Sequence, residues 1–582
     1  MSLIADIDSK KQSLVTYQLL VGEGEKDVTS NFGIKSMVVY RECNRIPTAT
    51  IVIIDGNVST QEFSVSNEDT FKPGEKIHIK SGYEFEDETI FKGIITKHTI
   101  KLNNGASNLL IECKDEAFKL TLEKKNKIFY ESTESEMFEE IISDNELQSN
   151  VESTTYTHNE LVQYYATDWD FMLSRTQINN KICLVEDGTI IIKEPGFSEQ
   201  SEHKAIYGDN VFSFEAEIDT RTQYESFEAS SWNFSDQEIV SKTAQNSSIN
   251  TVGNLSSSDL ATAAGANKVT LKHVGKIPDD VLQTWVDGKS SMQQLSKICG
   301  TIKIQGVHDL LPGKLLTLEG MSDRFNGDVF VSAVYHEVAE GNWLTTVKFG
   351  LDNEWFSETY KISQLPAAGM LPAINGLHIG VVSALEGDPE EEHRIQVKLP
   401  IISEEEEGIW ARVLSLHAGE NIGVHFLPEI GNEVLVGFLN DDPNQAIVLG
   451  SLFSNTNTSP IEYTDDNFEK VIMTKSEIKI TLNDELKSIT LDTPDGKMIS
   501  IDDDAAEVSI KDENDNVIVM NSDGISITSG KDIVLSATGD IKMDGVNVEI
   551  TASAGFKAEA SSTAEVSGSA STTIKGGMVQ IN

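Results

Sequence analysis

Four histidines, His378, His393, His417 and His425, fall within one segment, and imidazoles brought together there would hold a transition metal. Each stands singly in its own run, so the expectation is four separate side chains on the surface or in a satisfied core. Asp502-Asp503-Asp504 and Asp512-Glu513-Asn514-Asp515 offer oxygen ligands for Ca²⁺. They lack the glycine and terminal glutamate spacing of a calcium loop and read as solvated turns. Tyr164, Tyr165, Trp169 and Phe171 are dense enough to stack a ligand, but packing of a helix onto a core explains them equally well and is preferred. Gly22-Glu23-Gly24 has no third glycine for a dinucleotide loop and reads as a turn. HExxH, GxSxG and GxxxxGK[ST] do not occur in the chain. No catalytic, cofactor-binding or metal-binding residue is therefore assigned, and the expectation is a protein that is not an enzyme.

The elements that would position any such residues come next. The chain has 582 residues, 39% hydrophobic and 24% charged, which suits several globular domains. Its net charge of −47 repels phosphate backbones and anionic lipid head groups, which argues against nucleic acid and membrane surfaces as partners. Cys43, Cys113, Cys183 and Cys299 form no CxxC, and Cys113 and Cys183 lie in apolar runs as reduced core thiols. The N-terminus MSLIADIDSKKQ has no basic stretch leading into an apolar core. No run reaches the ~18 apolar residues that span a bilayer. The expected location is the cytoplasm during assembly, with no signal peptide for any later exit.

Two composition shifts, Leu365 to Gly376 and Asn455 to Pro460, mark linkers. They divide the chain into residues 1–365, 366–456, a connecting stretch 457–475, and 476–582. The first segment is mostly strand, as in Met37–Tyr40, Ala49–Ile54, Lys76–Lys80 and Ile90–His98. Helices are expected over Ser135–Asn145, after a cap at Asp168, and around Ser291–Cys299. Pro73-Gly74 opens a strand that is followed by a Phe91-Lys92-Gly93 turn. Pro312-Gly313 and Phe325-Asn326-Gly327 repeat the arrangement, which predicts two related β-barrels. Ala244–Ala266, rich in Ser, Asn, Thr, Ala and Gly, reads as a mobile surface loop.

From Gly376 to Phe453, short apolar or alternating runs are separated by polar turns, the pattern of a small closed barrel of the OB type. Glu390–Glu392 and Glu404–Glu407 in its loops oppose the oligonucleotide binding that such barrels often perform.

The sharpest signal is a repeat. Apolar residues two apart recur as Ile525/Ile527, Ile533/Leu535, Ile541/Met543, Val548/Ile550 and Phe556/Ala558, then fade into Ala564/Val566, Thr572/Ile574 and Val579/Ile581. The steps are 8, 8, 7, 8, 8, 8 and 7 residues. Looser pairs precede them at Ile478/Ile480, Ile489/Leu491, Ile499/Ile501, Val508/Ile510 and Val517/Val519. Residues two apart share one face of a strand. A short strand and a turn, repeated, make a β-solenoid rod whose inward pairs are too small to fill a core alone. A triangular prism answers this, with its three sides coming from one chain or from three intertwined chains. The intertwined form leaves fewer free strand edges. Ala and Ser dominate Ala552–Ser571, which narrows the rod toward its end.

The three segments together resemble the VgrG family: the spikes of type VI secretion systems and the related hub-and-needle proteins of contractile phage tails and other contractile injection systems. The resemblance covers essentially the whole chain. Its most specific part is G-L-H-I-G-V-V from Gly376, R-I-Q-V-K-L-P from Arg394, I-W-A-R-V from Ile409, F-L-P-E-I-G-N-E-V-L-V-G-F from Phe426 and I-V-L-G-S-L-F from Ile447. Q-Y-Y-A-T-D-W-D-F from Gln163 and W-L-T-T-V-K-F-G from Trp343 are similar to family patterns with less specificity. The resemblance implies a mainly β homotrimer. A two-barrel hub with a few helices would form a pseudo-sixfold ring on the inner tube protein. An OB-fold neck and a C-terminal triple-stranded β-helix needle would follow. Ile525, Ile527, Ile533, Leu535, Ile541, Met543, Val548, Ile550 and Phe556 would form the needle core. Met578, Val579 and Ile581 would meet a conical, PAAR-like tip protein. Baseplate components and effector cargo are the other implied partners. No lysozyme-sized insertion separates the barrel from the needle, and the repeat runs to Ile581, so no appended effector domain is expected. A trimeric adhesin or tail fibre and a spike-borne cell-wall hydrolase are the rival readings; the barrel signature opposes the first, and the missing insertion the second.

Overall fold

Strands Ile34–Glu42 and Thr48–Ile54 alternate so that Met37, Val39, Ala49, Ile51 and Ile53 turn to one buried face. That alternation is what lets so polar a chain build a β core. The computed structural model describes residues 14–103, 106–197, 200–245, 252–403 and 405–581. The N-terminal stretch read for targeting, residues 246–251 of the Ala244–Ala266 loop, and Glu404 lie outside the described residues. The chain divides into two units, one ending at Pro372 and one starting at Ala373.

A thirteen-stranded sheet dominates the first unit. Apart from the two-residue strand Lys26–Asp27, its strands fall into two sets of six. The first is Val15–Val21, Ile34–Glu42, Thr48–Ile54, Lys76–Tyr83, Glu86–Asn103 and Ala106–Lys114. The second is His203–Ile206, Val211–Ile218, Ile298–Gln305, Leu315–Glu319, Gly327–Ala339 and Asn342–Phe349. In both sets the neighbour order is first, fourth, fifth, sixth, third, second. The proline-glycine turns superpose down to single hydrogen bonds. Gly74 N–H donates to the Ile95 carbonyl at 2.8 Å, and Gly313 N–H to Val331 at 2.8 Å. Ile95 N–H returns to Glu75 at 2.9 Å, as Val331 N–H does to Lys314 at 2.9 Å. Gly74 (φ 102°) and Gly313 (φ 85°) both take the left-handed backbone that favours glycine.

The two sets are not independent in their hydrogen bonding. Gly327–Ala339 pairs antiparallel with Ile34–Glu42, so one continuous sheet carries both. Separate apolar cores remain on either side of this seam, one around Ile51, Ile79 and Phe91, the other around Ile302, Val334 and Phe349. His336 lies on the joining strand, fully buried, with Nδ1 3.0 Å from the Thr345 hydroxyl.

Helices pack where the sets are interrupted. Glu134–Asp144 carries a capping box from Thr133 and Glu136. Asp168–Ile178 is capped by Thr167 rather than Asp168. The Asp168 carboxylate instead accepts from Gln163 Nε2 at 3.0 Å, Asn145 Nδ2 at 2.9 Å and Lys125 Nζ at 2.6 Å. The helix expected around Ser291–Cys299 runs earlier, over Asp279–Leu295, and Ile298–Gln305 is a strand. Pairing of that strand with Val211–Ile218 and Asn342–Phe349, both distant in sequence, overrides the local pattern. The Ala244–Ala266 reading is also corrected. Ser257–Ala264 is a helix whose capping box, Ser256 with Asp259, was concealed in a serine-rich run.

The second unit begins with a closed five-stranded barrel: His378–Ala384, Ile395–Lys398, Ile409–Val413, Ala446–Ser451 and Glu433–Phe438 in neighbour order. Val382, Ile395, Val397, Ala411, Val434, Val436 and Val448 fill it. One turn is held by a single carboxylate. Asp388, with 7% of its side chain exposed, takes the Arg394 guanidinium at 2.6 and 3.1 Å and backbone N–H groups of Glu390, Glu392 and Arg394 at 3.2, 2.9 and 3.2 Å. Chiefly through Arg394, the Asp388 carboxyl sits well below the usual range. Its contribution is present above the ordinary carboxylate value of about 4 and is lost as pH falls through the depressed one. Asp388→Ala is expected to lower the barrel's thermal midpoint by several degrees at pH 7, read by calorimetry. An unchanged midpoint would show that the turn holds without it.

Candidate functional site

The barrel leads into an antiparallel ribbon of seven strands: Glu469–Met473, Lys479–Asn483, Ser488–Asp492, Met498–Asp502, Glu507–Lys511, Val517–Asn521 and Gly524–Thr528. The first strand falls inside the stretch read from sequence as connecting segment 457–475. Residues directly opposite one another share a face, and here they form two apolar columns. One runs Ile480, Leu491, Ile499, Ile510, Ile518, Ile527. The other runs Leu482, Ile489, Ile501, Val508, Met520, Ile525. The opposite face is a ladder of Thr481, Thr490, Ser500, Ser509, Val519 and Ser526.

The register corrects one pair. In the run Val517-Ile518-Val519-Met520 both parities are apolar, and the sequence reading chose Val517/Val519. The structure places Ile518 and Met520 on the column face and Val519 on the polar face. A one-residue choice of register reverses every side chain, and only cross-strand partners decide it.

Within this chain the columns have nothing above them. Ile499 is 46% and Ile527 56% exposed, although each stands in an unbroken apolar row. A groove of about 590 Å³ runs along the first of them, lined by Leu491, Ile499, Ile510, Ile518, Ile527 and Ile533. Ile525, Ile527 and Ile533 are thus brought to the column face. Leu535, Ile541, Met543, Val548, Ile550 and Phe556 continue along a tail in which every described residue from 531 to 581 is exposed. Among the described residues no strand pairing follows Thr528, so these side chains meet no counterpart within the chain. Met578, Val579 and Ile581 stand exposed at the far end of this tail.

The chemical candidates disperse. His378 meets Phe438 edge-on at 5.7 Å, while His393, His417 and His425 are exposed and apart. Asp512 caps its own turn, accepting from the N–H groups of Asn514 and Asn516 at 2.8 and 3.0 Å, which with the Asn516 amide holds it down at about 2. Trp169 and Phe171 enter the core, whereas Tyr164 and Tyr165 remain exposed. All four cysteines are free thiols, and burial pushes Cys43 up to about 12. Sequence reasoning missed one cluster, Glu202, His203 and Asp309, whose ligand atoms lie within 4.8 Å of one another. The signal was confined to two ordinary dipeptides, Glu-His and His-Asp, far apart along the chain.

Three family models match in chain order. Residues 11–340 match the Alg8 N-terminal domain, 378–453 the type VI secretion system/phage-baseplate injector OB domain, and 488–554 the phage baseplate V C-terminal trimerisation domain. The chain belongs to the Alg8 N-terminal domain family.

The chain is 32% identical to the type VI secretion system spike protein VgrG3 of Vibrio cholerae over 112 residues, 18% of this chain and 11% of that protein. It is 40% identical to the spike protein VgrG5 of Pseudomonas aeruginosa over 67 residues, 12% of this chain and 8% of that protein. The chain thus spans about a tenth of the length of the curated relatives it matches. Among solved structures, an Escherichia coli type VI secretion component described as similar to the T4 tail proteins gp27 and gp5 aligns over 72% of this chain and 97% of its own. The identity is 12% and the TM-score 0.35. The OB match lies on the closed barrel, and the trimerisation match covers the ribbon from its third strand into the exposed tail. No helix among the described residues is long and apolar enough to cross a membrane.

Proposed function

We propose that this chain is the structural spike and hub at the tip of a contractile injection apparatus, acting as a homotrimer. The observation that carries the reading is the pair of apolar columns with nothing covering them, continued by a tail without in-chain strand partners. Single-layer sheets with one bare apolar face are not stable in water. Two sister copies would cover the columns and give the tail's backbone groups the strand partners they need. The trimerisation match over residues 488–554 supports the same arrangement.

In this reading Ile525, Ile527, Ile533, Leu535, Ile541, Met543, Val548, Ile550 and Phe556 face the axis of a shared prism. Met578, Val579 and Ile581 offer a blunt apolar end to a conical tip protein. Three chains, each with two six-strand sets, present six related units to a hexameric inner tube, with baseplate components around them and effector cargo carried at the tip. The work is mechanical: continuous backbone hydrogen bonds and a packed axis resist bending as the needle is driven forward. Assembly takes place in the cytoplasm and delivery outward, with the particle. Native mass spectrometry of the purified chain tests the central claim. The expected result is a mass three times that of one chain; a monomer at micromolar concentration would overturn the proposal.

A further inference from the structure

The Glu202, His203 and Asp309 cluster lies in the first unit, on the second six-strand set. Glu202 and His203 open the strand His203–Ile206. Asp309 lies in the connection between Ile298–Gln305 and the Pro312-Gly313 turn. The chain therefore brings two separate segments together at this point, next to the hairpin that begins the repeated turn.

His203 is the unusual member. Only 7% of its side chain is exposed, and neither ring nitrogen has a hydrogen-bond partner. A buried imidazole left in that state is costly unless something else uses its lone pair. Its Nε2 stands 3.0 Å from Asp309 Oδ1, at ion-pair distance, and its Nδ1 has no partner. That spacing has another cause available. Two ligands held about 2.1 Å from one ion, at octahedral or tetrahedral angles, stand roughly 3.0–3.4 Å apart. The backbone beneath the ring is pinned, since Ser201 Oγ bonds the His203 carbonyl at 2.7 Å and takes the Thr317 N–H at 3.0 Å. Glu202 is exposed, pairs with Lys314 at 3.1 Å, and keeps a carboxylate oxygen within 4.8 Å of the His203 and Asp309 ligand atoms.

We infer that Glu202, His203 and Asp309 form a structural site for a first-row divalent transition cation in the second six-strand set. One imidazole nitrogen with two carboxylate oxygens selects such an ion, zinc being the natural probe, over calcium or magnesium, which take oxygen ligands alone. The ion ties the mouth of His203–Ile206 to the connection before Pro312-Gly313. Water fills the remaining coordination positions.

The test uses the full chain, freed of any affinity tag and stripped with EDTA. It is titrated calorimetrically with ZnCl₂ and, in parallel, with CoCl₂ followed by visible absorption. One equivalent per chain is expected, with a ligand-field spectrum for cobalt. His203→Ala and Asp309→Asn should each weaken zinc binding at least tenfold, and Glu202→Gln, at an exposed position, should weaken it without touching the fold. Zinc should raise the thermal midpoint of the first unit in the unsubstituted chain and leave it unmoved in His203→Ala. Circular dichroism confirms that the variants are folded. Absence of binding, or zinc binding of equal affinity in all three variants, overturns the inference.

Discussion

Ile499→Asp is expected to convert the three-chain particle into monomers. Ile499 stands between Leu491 and Ile510 in one apolar column, and three copies would meet at the axis. Removing each isoleucine forfeits about 1.5–3 kcal/mol of burial. Each aspartate then adds the desolvation of a carboxylate facing two others, which costs several kcal/mol more per chain. The total loss across three chains exceeds 10 kcal/mol at this layer, roughly the stability of a whole domain. Sedimentation velocity would show the change directly. Ser500→Asp is the control: its in-register partners Thr490 and Ser509 lie on the opposite, polar face, so it should leave assembly intact. If Ile499→Asp assembles as well as Ser500→Asp, the columns do not face an axis.

The second large effect is an acid sensitivity centred on His336. This ring is fully buried on the strand that joins the two halves of the sheet, and burial, reinforced by Arg41 and His308, holds it at about 3. In the unfolded chain it takes a proton near pH 6.5. Stability is therefore unaffected above pH 6.5 and falls as pH drops toward 3, because only the unfolded state binds the proton. The slope reaches about 1.4 kcal/mol per pH unit below pH 6, so pH 6.5 to 4.5 removes ~2.3 kcal/mol. His336→Gln should flatten this part of the profile in urea unfolding followed unit by unit. His78, which burial also lowers, leaves a smaller residual slope. Glu134, held below the usual carboxylate range by His158 and Arg175 despite burial, acts at lower pH, whereas Asp115, raised by burial to about 6, acts in the same window with the opposite sign, so the difference between the two proteins carries the assignment. Equal slopes in the two proteins would refute the assignment.

Much of the architecture could be read before any coordinates. The barrel strands, the proline-glycine turns and the eight-residue repeat all depend on period-two patterning and turn residues, which are local properties. The repeat even identified Ile525 and Ile527 as residues of one face, because spacing by two is enough to decide that. The first helix was legible to within two residues of its cap at Thr133, but the equally local Ser256–Asp259 box was hidden in a serine-rich run, and Thr167 displaced Asp168 once the latter's carboxylate found Gln163, Asn145 and Lys125.

By itself, then, the sequence determined a mainly β chain, the small barrel and the strand pairs up to Ile525 and Ile527, since each follows from neighbours within a few residues. Tertiary structure alone decided the rest. It selected Ile518 and Met520 over Val517 and Val519, because an apolar run has no parity until a partner strand supplies one. It fused two related strand sets along Ile34–Glu42 and Gly327–Ala339, and it carried Asp309 to His203, because hydrogen-bonded edges and close side chains are set by three-dimensional proximity that separation along the chain does not encode.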